Sequence, residues 1–248
     1  MALVIAHRGD PSCAPENTVA AFRAAVDLGV DMVELDVQLS RDRHPLVMHD
    51  LEVDRCTNGH GRVAEMDLAQ LRALDAGAWF SPRFVGERIP TLEEALSALP
   101  FPVQVNLHLK PFDPSDDTLE RIVLEHIDRF ALADRLVVVH HELGSLERLR
   151  AWRPSLTLCL LPPRGVDGRG YVDVARAHGL RVLQPGRNLM SAEFLAYAHQ
   201  HGMHANVFYA DTAEDMARYL DWGVDGILSN QPARLQEVLR ARKRDANG

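Results

Sequence analysis

The feature of this sequence that most limits its fold is an eightfold alternation between short β-rich apolar runs and longer stretches of helical period. The predicted strands are residues 3–7, 32–37, 103–109, 136–140, 157–161, 181–184, 204–208 and 226–229. The predicted helices are residues 17–28, 92–99, 118–130, 145–152, 171–178, 192–201, 213–222 and 233–240. Because eight βα units close a parallel sheet into a barrel, the pattern predicts an α/β fold, a (β/α)8 TIM barrel, with a doubly wound open sheet as the alternative.

Capping residues mark the ends of several predicted helices. Thr91 and Glu94 have the spacing of an N-terminal capping box, in which each side chain accepts a hydrogen bond from the backbone amide of the other residue. Glycine stands where a left-handed C-terminal cap is expected at Gly29, Gly179, Gly202 and Gly223. These signals support the helix boundaries that the periodicity predicts.

The interval from Pro45 to Pro90 breaks the alternation. It contains a short strand-like run at 46–48 and a Gly-rich turn at 58–61, followed by mixed sequence without a clear period. We interpret residues 51–88 as a small insertion after the second strand, lying over one mouth of the barrel. Because the chain has no linker, low-complexity run or internal repeat, we expect residues 1–248 to form a single domain.

Composition and charge restrict the partners and the compartment. The formal net charge of −8 argues against a nucleic-acid partner, because such proteins displace counterions with clustered Lys and Arg. Cys13, Cys56 and Cys159 form no CxxC pair and fit neither a disulfide framework nor a zinc knuckle. No run approaches the ~18 apolar residues of a transmembrane helix, and no signal-peptide pattern is found. We therefore expect a soluble, cytoplasmic protein that acts on a small molecule.

Polar side chains collect near the ends of predicted strands, where a parallel barrel gathers its catalytic groups. Glu34 and Asp36 are two residues apart on the second strand, so both project from one face of an otherwise apolar run. Two carboxylates inside a barrel need a cation, which is either a metal ion or an inward Arg or Lys. Asn106, His108 and Lys110 share one face of the third predicted strand by the same spacing. His108 is therefore a candidate third metal ligand, and Lys110 a candidate anion contact.

Two histidines are placed differently from the rest. His7 precedes Arg8, and His49 precedes Asp50, so each ends an apolar run beside a charged residue. Two imidazoles can supply a general base and a general acid near neutral pH. With an arginine and a metal ion, they are the groups expected for displacement at a phosphate. We expect ordinary packed or solvated positions for His44, His126, His178, His199, His201 and His204.

Short motifs also follow one another in a characteristic order along almost the whole chain. They are HRG at 7–9, PENT at 15–18, ELDV at 34–37, HD at 49–50, DRCTNG at 54–59, IPTLEEAL at 89–96 and GVDGI at 223–227. This set resembles the glycerophosphodiester phosphodiesterase family. The resemblance implies a TIM barrel that uses one divalent cation, usually calcium or magnesium. It also implies hydrolysis of a glycerophosphodiester to an alcohol and sn-glycerol 3-phosphate.

The resemblance implies roles for the matching positions. His7 and His49 match the family's acid–base histidines, and Arg8 and Lys110 match its phosphate-binding residues. Asn17 matches a site-organising asparagine, with a helix start as the alternative reading. In the implied mechanism, one histidine activates the substrate's own glycerol hydroxyl to attack phosphorus and the other protonates the leaving alcohol. The cyclic phosphate is then hydrolysed.

The metal site departs from the family pattern. Glu34 and Asp36 match metal carboxylates, but the family's Asn-Ile-Glu-Ile-Lys strand reads Asn-Leu-His-Leu-Lys at 106–110. An imidazole at His108 removes one negative charge, which weakens binding of calcium or magnesium and favours manganese, cobalt or zinc. Our hypothesis is that His108 rebuilds the site for a softer ion, with His140 as a further candidate ligand. The rival hypothesis is loss of tight metal binding.

Two more departures concern the pocket. The fourth predicted strand ends in His140 and His141 where the family often has Ser-Phe, and residues 206–209 read Asn-Val-Phe-Tyr where a tryptophan is common. Both changes lie at strand ends on one mouth of the barrel. The sequence therefore predicts a reshaped pocket for the glycerol or alcohol group of the substrate.

Two other functions stay open at this point. A lysophospholipase D-like lipid phosphodiesterase would need an apolar entrance, for which the Ala-Trp-Phe run at 78–80 is a candidate. A catalytically weakened barrel could bind a phosphorylated metabolite without turning it over. Retention of both His7 and His49 argues against that second function, since binding alone needs no pair of proton-transfer groups.

Overall fold

Eight parallel strands form the centre of the computed structural model, which describes residues 2–113 and 115–247. Including one short antiparallel strand, the strands are β1 (Leu3–His7), β2 (Met32–Leu39), β3 (Pro45–Val47), β4 (Gln104–Leu109), β5 (Leu136–His140), β6 (Thr157–Leu160), β7 (Val182–Leu183), β8 (His204–Phe208) and β9 (Gly226–Ser229). The helices are α1 (Val19–Leu28), α2 (Leu68–Ala73), α3 (Leu92–Ser97), α4 (Thr118–Arg129), α5 (Leu143–Trp152), α6 (Gly168–Ala177), α7 (Ala192–Gln200), α8 (Ala213–Asp221) and α9 (Pro232–Asn247). Short 3-10 helices span Val63–Glu65, Pro82–Phe84 and Ala133–Arg135.

The parallel strands close almost completely into a barrel. Their spatial order is β6-β5-β4-β2-β1-β9-β8-β7, with β3 paired antiparallel to β2. The two strands at the ends of this order, β6 and β7, contact each other and so bring the sheet round on itself. The predicted (β/α)8 barrel is therefore confirmed, and the doubly wound open sheet is excluded.

The side chains of each strand divide between two environments, as period-two alternation requires. Val33 and Leu35 of β2 face outward into the apolar layer shared with the helices. Met32 faces inward and packs with Ile5 and other apolar side chains in the barrel interior. Further along β2, the inward positions are occupied by acidic residues instead. The interior is thus apolar at its base and polar at the carboxyl ends of the strands.

Helix ends follow the local chemistry that the sequence predicts. Thr91 and Glu94 form both halves of the capping box at the start of α3. Gly29 closes α1 in the left-handed region, with φ 77°. Helix α1 begins at Val19 rather than at the predicted residue 17, because the Thr18 side chain accepts a hydrogen bond from the amide of Ala21 and caps the helix there.

Residues between β3 and α3 pack around a small apolar cluster of their own. The buried members of this cluster are Leu46, Met48, Val53, Cys56, Val63, Leu71, Ala76 and Ile89. The segment read from the sequence as an insertion thus has its own core beside the barrel core, and it includes α2, which periodicity did not predict. The single-domain organisation stays a prediction. Within the described residues, none of the helices has both the length and the apolar character needed to cross a bilayer.

Candidate active site

The predicted site residues come together at the carboxyl ends of β1, β2 and β4. They line a cavity of about 410 Å³. The predicted residues on its wall are His7, Arg8, Glu34, Asp36, His49, His108 and Lys110. The strand register explains the convergence, because His7 pairs with Glu34 across β1 and β2, and Asp36 pairs with His108 across β2 and β4. Asn17 is buried next to this wall, with its side-chain amide on Asp36.

The turn after β1 has a conformation that the HRG motif is suited to form. Arg8 and Gly9 both have positive φ, at 62° and 85°. A Cβ at Gly9 would lie 2.7 Å from the backbone carbon of Ala21, so a side chain there would clash as well as strain the backbone. This turn directs the backbone amide of Arg8 to the Glu34 carboxylate, at 3.0 Å.

Asp36 is the centre of the polar cluster. Its carboxylate accepts a hydrogen bond from Asn17 Nδ2 at 2.9 Å and lies 3.1 Å from His108 Nδ1. Lys110 Nζ and Arg8 Nε are 3.4 and 3.5 Å away. Although burial acts in the opposite direction, the neighbouring His108 imidazole and the charge of Lys110 hold the pKa of Asp36 well below its usual value. Asp36 is therefore ionised at neutral pH.

Glu34 has a different environment although it lies two residues away. Besides the Arg8 amide, His7 Nε2 lies near its carboxylate, at 3.9 Å. Burial, and then the neighbouring Asp36 carboxylate, raise the pKa of Glu34 well above its usual value. Nearby positive groups therefore stabilise the ionised form of Asp36, whereas they do not fully stabilise the ionised form of Glu34.

The same group of residues fits a divalent metal ion. One ligand atom from each of Glu34, Asp36 and His108 lies within 4.8 Å of the others. Asp36 Oδ1 and His108 Nε2 are buried and make no hydrogen bond with the described residues. Two carboxylate oxygens and an imidazole nitrogen form a donor set that manganese, cobalt and zinc accept. The inward cations that the sequence offered as an alternative, Arg8 and Lys110, are present too, but they form ion pairs with Asp36 rather than with Glu34.

His7 is held by a partner from the other end of the chain. Its Nδ1 lies 2.7 Å from Asn230 Oδ1, and the Asn230 amide group in turn donates to Asp211 Oδ2 at 2.8 Å. Because the amide nitrogen is committed to Asp211, its oxygen faces His7 and places the imidazole proton on Nδ1. Burial and the charge of Arg8 lower the pKa of His7 to about 4. Nε2 is consequently unprotonated at neutral pH.

His49 is held by a carboxylate instead of an amide. Its Nδ1 lies 2.6 Å from Asp50 Oδ1, and Arg55 Nε donates to the other Asp50 oxygen at 2.6 Å. Burial raises the pKa of Asp50, but the hydrogen bonds from Arg55 and His49 lower it to about 2. Arg55 also donates to Glu16 at 2.7 Å, and Glu16 accepts from Arg8 at 2.7 Å. This chain of ion pairs ties the segment that carries His49 to the turn that carries Arg8.

The structure also locates the histidines at the end of β5. The His141 ring centroid lies 5.3 Å from that of His108. His140 Nδ1 accepts a hydrogen bond from the Glu142 amide, and His140 is not part of the Glu34, Asp36 and His108 group. Burial is the main cause that lowers the pKa of His140 to about 3 and that of His141 to about 4. His140 as a further metal ligand, expected from the sequence, is therefore not supported.

Two site residues, Gln184 and Asn230, were missed by the sequence analysis, and their neighbours in the site include residues that it named. Asn106 Nδ2 donates to Gln184 Oε1 at 2.8 Å, and Gln184 lines the cavity at the end of β7. The His7 ring stacks on Tyr209, with centroids 6.2 Å apart, and meets the edge of Phe208 at 5.1 Å. Both Gln184 and Asn230 are polar residues at the end of a predicted strand. The signal that identified the other site residues would therefore also have identified these two.

Comparison with known proteins gives the same result over most of the chain. The model of the glycerophosphoryl diester phosphodiesterase family matches residues 7–234. A glycerophosphodiester phosphodiesterase of Caldanaerobacter subterraneus subsp. tengcongensis is 35% identical over 239 residues, which cover 96% of this chain and 98% of that protein.

Solved structures extend the comparison to the barrel itself. A phosphodiesterase of Oleispira antarctica in complex with the product sn-glycerol-3-phosphate has a TM-score of 0.87 at 26% identity, covering 95% of this chain and 96% of that chain. A glycerophosphodiester phosphodiesterase of Agrobacterium tumefaciens has a TM-score of 0.81 at 26% identity, with 95% and 99% coverage. With a family match over residues 7–234 and relatives similar along almost their full length, this chain belongs to the glycerophosphoryl diester phosphodiesterase family.

Proposed function

We propose that this protein is a phosphoric diester hydrolase that cleaves glycerophosphodiesters to an alcohol and sn-glycerol 3-phosphate by His–His acid–base catalysis. The observation that carries the proposal is the unequal pair of histidines at one cavity. His7 bonds to a neutral amide and His49 to a carboxylate, so an imidazolium is better stabilised at His49 than at His7, although burial lowers the pKa of both rings. The relative from Oleispira antarctica was solved with sn-glycerol-3-phosphate, the product that this reaction would give.

His7 is the proposed general base. With its Nδ1 proton directed to Asn230, His7 can accept the proton of the substrate's glycerol hydroxyl at Nε2. The hydroxyl oxygen then attacks phosphorus and forms a cyclic phosphate. Stacking against Tyr209 and the edge contact with Phe208 hold the imidazole plane for this transfer.

His49 is the proposed general acid. The ionised Asp50 carboxylate at 2.6 Å stabilises an imidazolium, which can protonate the leaving alcohol oxygen as the P–O bond breaks. In the second half of the reaction, neutral His49 takes a proton from water and the hydroxide adds to phosphorus. Protonated His7 then returns its proton to the glycerol oxygen. Both histidines end the cycle in their starting states.

The remaining predicted residues neutralise and position charge. Arg8 and Lys110 lie on the cavity wall and are the proposed contacts of the phosphate oxygens. Asn17 is the proposed site-organising residue, because its amide fixes Asp36 from behind at 2.9 Å. A divalent ion held by Glu34, Asp36 and His108 would, when bound, neutralise phosphate charge and orient the diester.

Hydrolysis itself is the direct test of the proposal. Metal-stripped protein is supplied in turn with calcium, magnesium, manganese, cobalt and zinc, and release of sn-glycerol 3-phosphate from several glycerophosphodiesters is measured. We expect release that requires an added metal ion and that nearly vanishes in His49→Ala. If no sn-glycerol 3-phosphate were released with any metal or any diester, the proposal would be contradicted. That result would favour a barrel that only binds a phosphorylated metabolite.

His108→Glu tests the proposed metal preference. The substitution adds a carboxylate to the site, so we expect activation by magnesium or calcium to improve by ~10-fold or more relative to manganese, cobalt and zinc. The measurement is the activation constant of each metal in the wild type and the variant, together with metal affinity by calorimetry. An unchanged order of affinities would mean that His108 does not contact the ion.

Asn230→Asp tests the protonation state of His7. Because His7 must be unprotonated, activity falls as the pH drops through its pKa, which is near 4 in the wild type. A carboxylate beside Nδ1 stabilises the imidazolium and raises that pKa by ~1–3 units. We therefore expect the acidic limb of the kcat/KM profile to move to higher pH in Asn230→Asp. If the acidic limb of the kcat/KM profile stayed at the same pH in Asn230→Asp, His7 would not be the general base.

The structure does not favour the lipid alternative. The lysophospholipase D-like function needed an apolar entrance formed by residues 78–80. None of these three residues lines either of the two cavities whose walls include His49 and Lys110. Trp79 instead packs on Phe80 and donates its indole N–H to the carbonyl of Ala76. A substrate without an acyl chain is therefore proposed. The three cysteines are free, which agrees with the proposed cytoplasmic location.

A further inference from the structure

A second cavity opens beside the first on the His49 side of the barrel mouth. We call it the His49 groove; its volume is about 780 Å³. It shares with the first cavity the residues His49, Lys110, His141, Pro162, Pro163 and Arg164. His7 lines the first cavity but not the groove. The two cavities are thus continuous at His49 and separate at His7.

If the proposed function holds, this arrangement shows which end of the substrate lies at which histidine. The glycerol end must lie near His7, which takes its hydroxyl proton, and the leaving alcohol must lie near His49, which protonates it. Only the His49 end continues into the groove. The groove is therefore the place for the alcohol moiety, and its chemistry determines which alcohols fit.

The groove is rich in positive charge and hydrogen-bond donors. Lys110 and Arg164 lie on its wall, and Glu142, which is exposed, is the one residue with a carboxylate among the described residues of that wall. No phenylalanine, tyrosine or tryptophan ring belongs to that wall in the described part of the chain. A quaternary ammonium group is normally held by aromatic faces or carboxylates, so this wall is poorly suited to choline.

Arg164 stands out among these groups. It is exposed, and within residues 2–113 and 115–247 its guanidinium forms no hydrogen bond or ion pair. Lys110, in contrast, already contacts Asp36 and the His49 carbonyl. Arg164 follows Pro162 and Pro163 directly after β6, and consecutive prolines limit the backbone freedom of the segment that carries it. The backbone at Arg164 is thus restrained, and its donors are available to a ligand in the groove.

We propose that Arg164 is a specificity-determining residue of the His49 groove, where it selects leaving alcohols that present oxygen acceptors over those that present a quaternary ammonium group. Two substrate classes share this chemistry: polyols such as a glycerol leaving group, and alcohols that carry a carboxylate, such as serine. A guanidinium donates to either through paired N–H groups, and it repels a fixed positive charge.

The test compares three diesters that differ only in the leaving alcohol: glycerophosphoglycerol, glycerophosphoserine and glycerophosphocholine. With the metal-loaded wild type, we expect kcat/KM for the first two to exceed that for the choline diester by roughly tenfold, the effect of about one charge-assisted hydrogen bond. The glycerol and serine arms separate recognition of hydroxyl groups from recognition of a carboxylate. Arg164→Gln should bring the ratios towards one, mainly through KM, and Arg164→Lys should restore part of the preference for the serine diester.

Arg181→Gln is the matched control, because it removes the same charge from the opposite, amino-terminal end of β7. It should leave the three ratios as they are. Equal kcat/KM for all three diesters, a preference for choline, or the same change in both arginine variants would each overturn the inference. Those outcomes would still leave the proposed hydrolase function standing, whereas that function fails only if none of the diesters is cleaved.

Discussion

His49→Gln lowers kcat/KM for glycerophosphoglycerol by about 10²–10⁴-fold, the usual contribution of a positioned general acid. The loss should depend on the leaving group. An ester of glycerol phosphate with p-nitrophenol releases an anion that needs no proton, so kcat/KM for p-nitrophenol release should be almost the same in His49→Gln as in the wild type. Hydrolysis of the cyclic phosphate still requires His49. His7→Gln should lose activity on both substrates, because the attacking hydroxyl must lose its proton in either case. Release of the leaving alcohol, measured for both variants on both esters, separates acid from base.

Thermal melting of the two variants serves as the control for folding. His7 is buried against Asn230, whereas the His49 side chain is about one-third exposed. Unequal effects on stability are therefore expected, but they do not depend on the substrate. If His49→Gln lost equal activity on both esters, it would not be the general acid. The opposite pattern, with His7→Gln rescued by p-nitrophenol, would exchange the two roles.

The polar residues at the carboxyl ends of strands are the part of this site that could be predicted from sequence, for a geometric reason. Once period-two alternation places Glu34 and Asp36 on one face, and Asn106 and His108 on the face of another strand, parallel pairing brings them to one mouth of the barrel. No knowledge of distant contacts is needed. The contact of Asn230 with His7 needs one further step, because it requires the barrel to close so that β9 lies beside β1.

Irregular segments were the harder part of the prediction. His49 lies two residues after β3, and its carboxylate partner is fixed by Arg55 from the segment that follows. The sequence marked the motif that contains Arg55 but gave no way to foresee its pairs with Asp50 and Glu16, since loops lack a period that predicts side-chain direction. Helix α2 was missed because its six residues are too few to give a helical period and its Asp67–Gln70 capping box was not recognised.

Glu34→Gln should abolish metal-dependent activity while it stabilises the metal-free protein. Glu34 is buried with Asp36 beside it, and its raised pKa means that the ionised form is unfavourable in the folded state. A neutral glutamine of similar shape keeps an oxygen for the Arg8 amide and removes the charge. We expect a gain of ~1–3 kcal/mol in the free energy of unfolding without metal, or ~2–10 °C in the melting midpoint. Activity should fall by ~10²-fold or more.

Asp36→Asn is the matched variant, with the opposite expected effect on stability. The pKa of Asp36 is held low by His108 and Lys110, so loss of its charge removes the ion-pair partner of Lys110 and one of the two ion-pair partners of Arg8. The metal-free protein should therefore melt at a lower temperature, although both variants lose activity. In a purely structural cluster of ion pairs, both substitutions would destabilise the protein and added metal would change neither melting curve. A stability gain at Glu34 together with a loss at Asp36 instead indicates a site that tolerates excess negative charge in order to bind a cation.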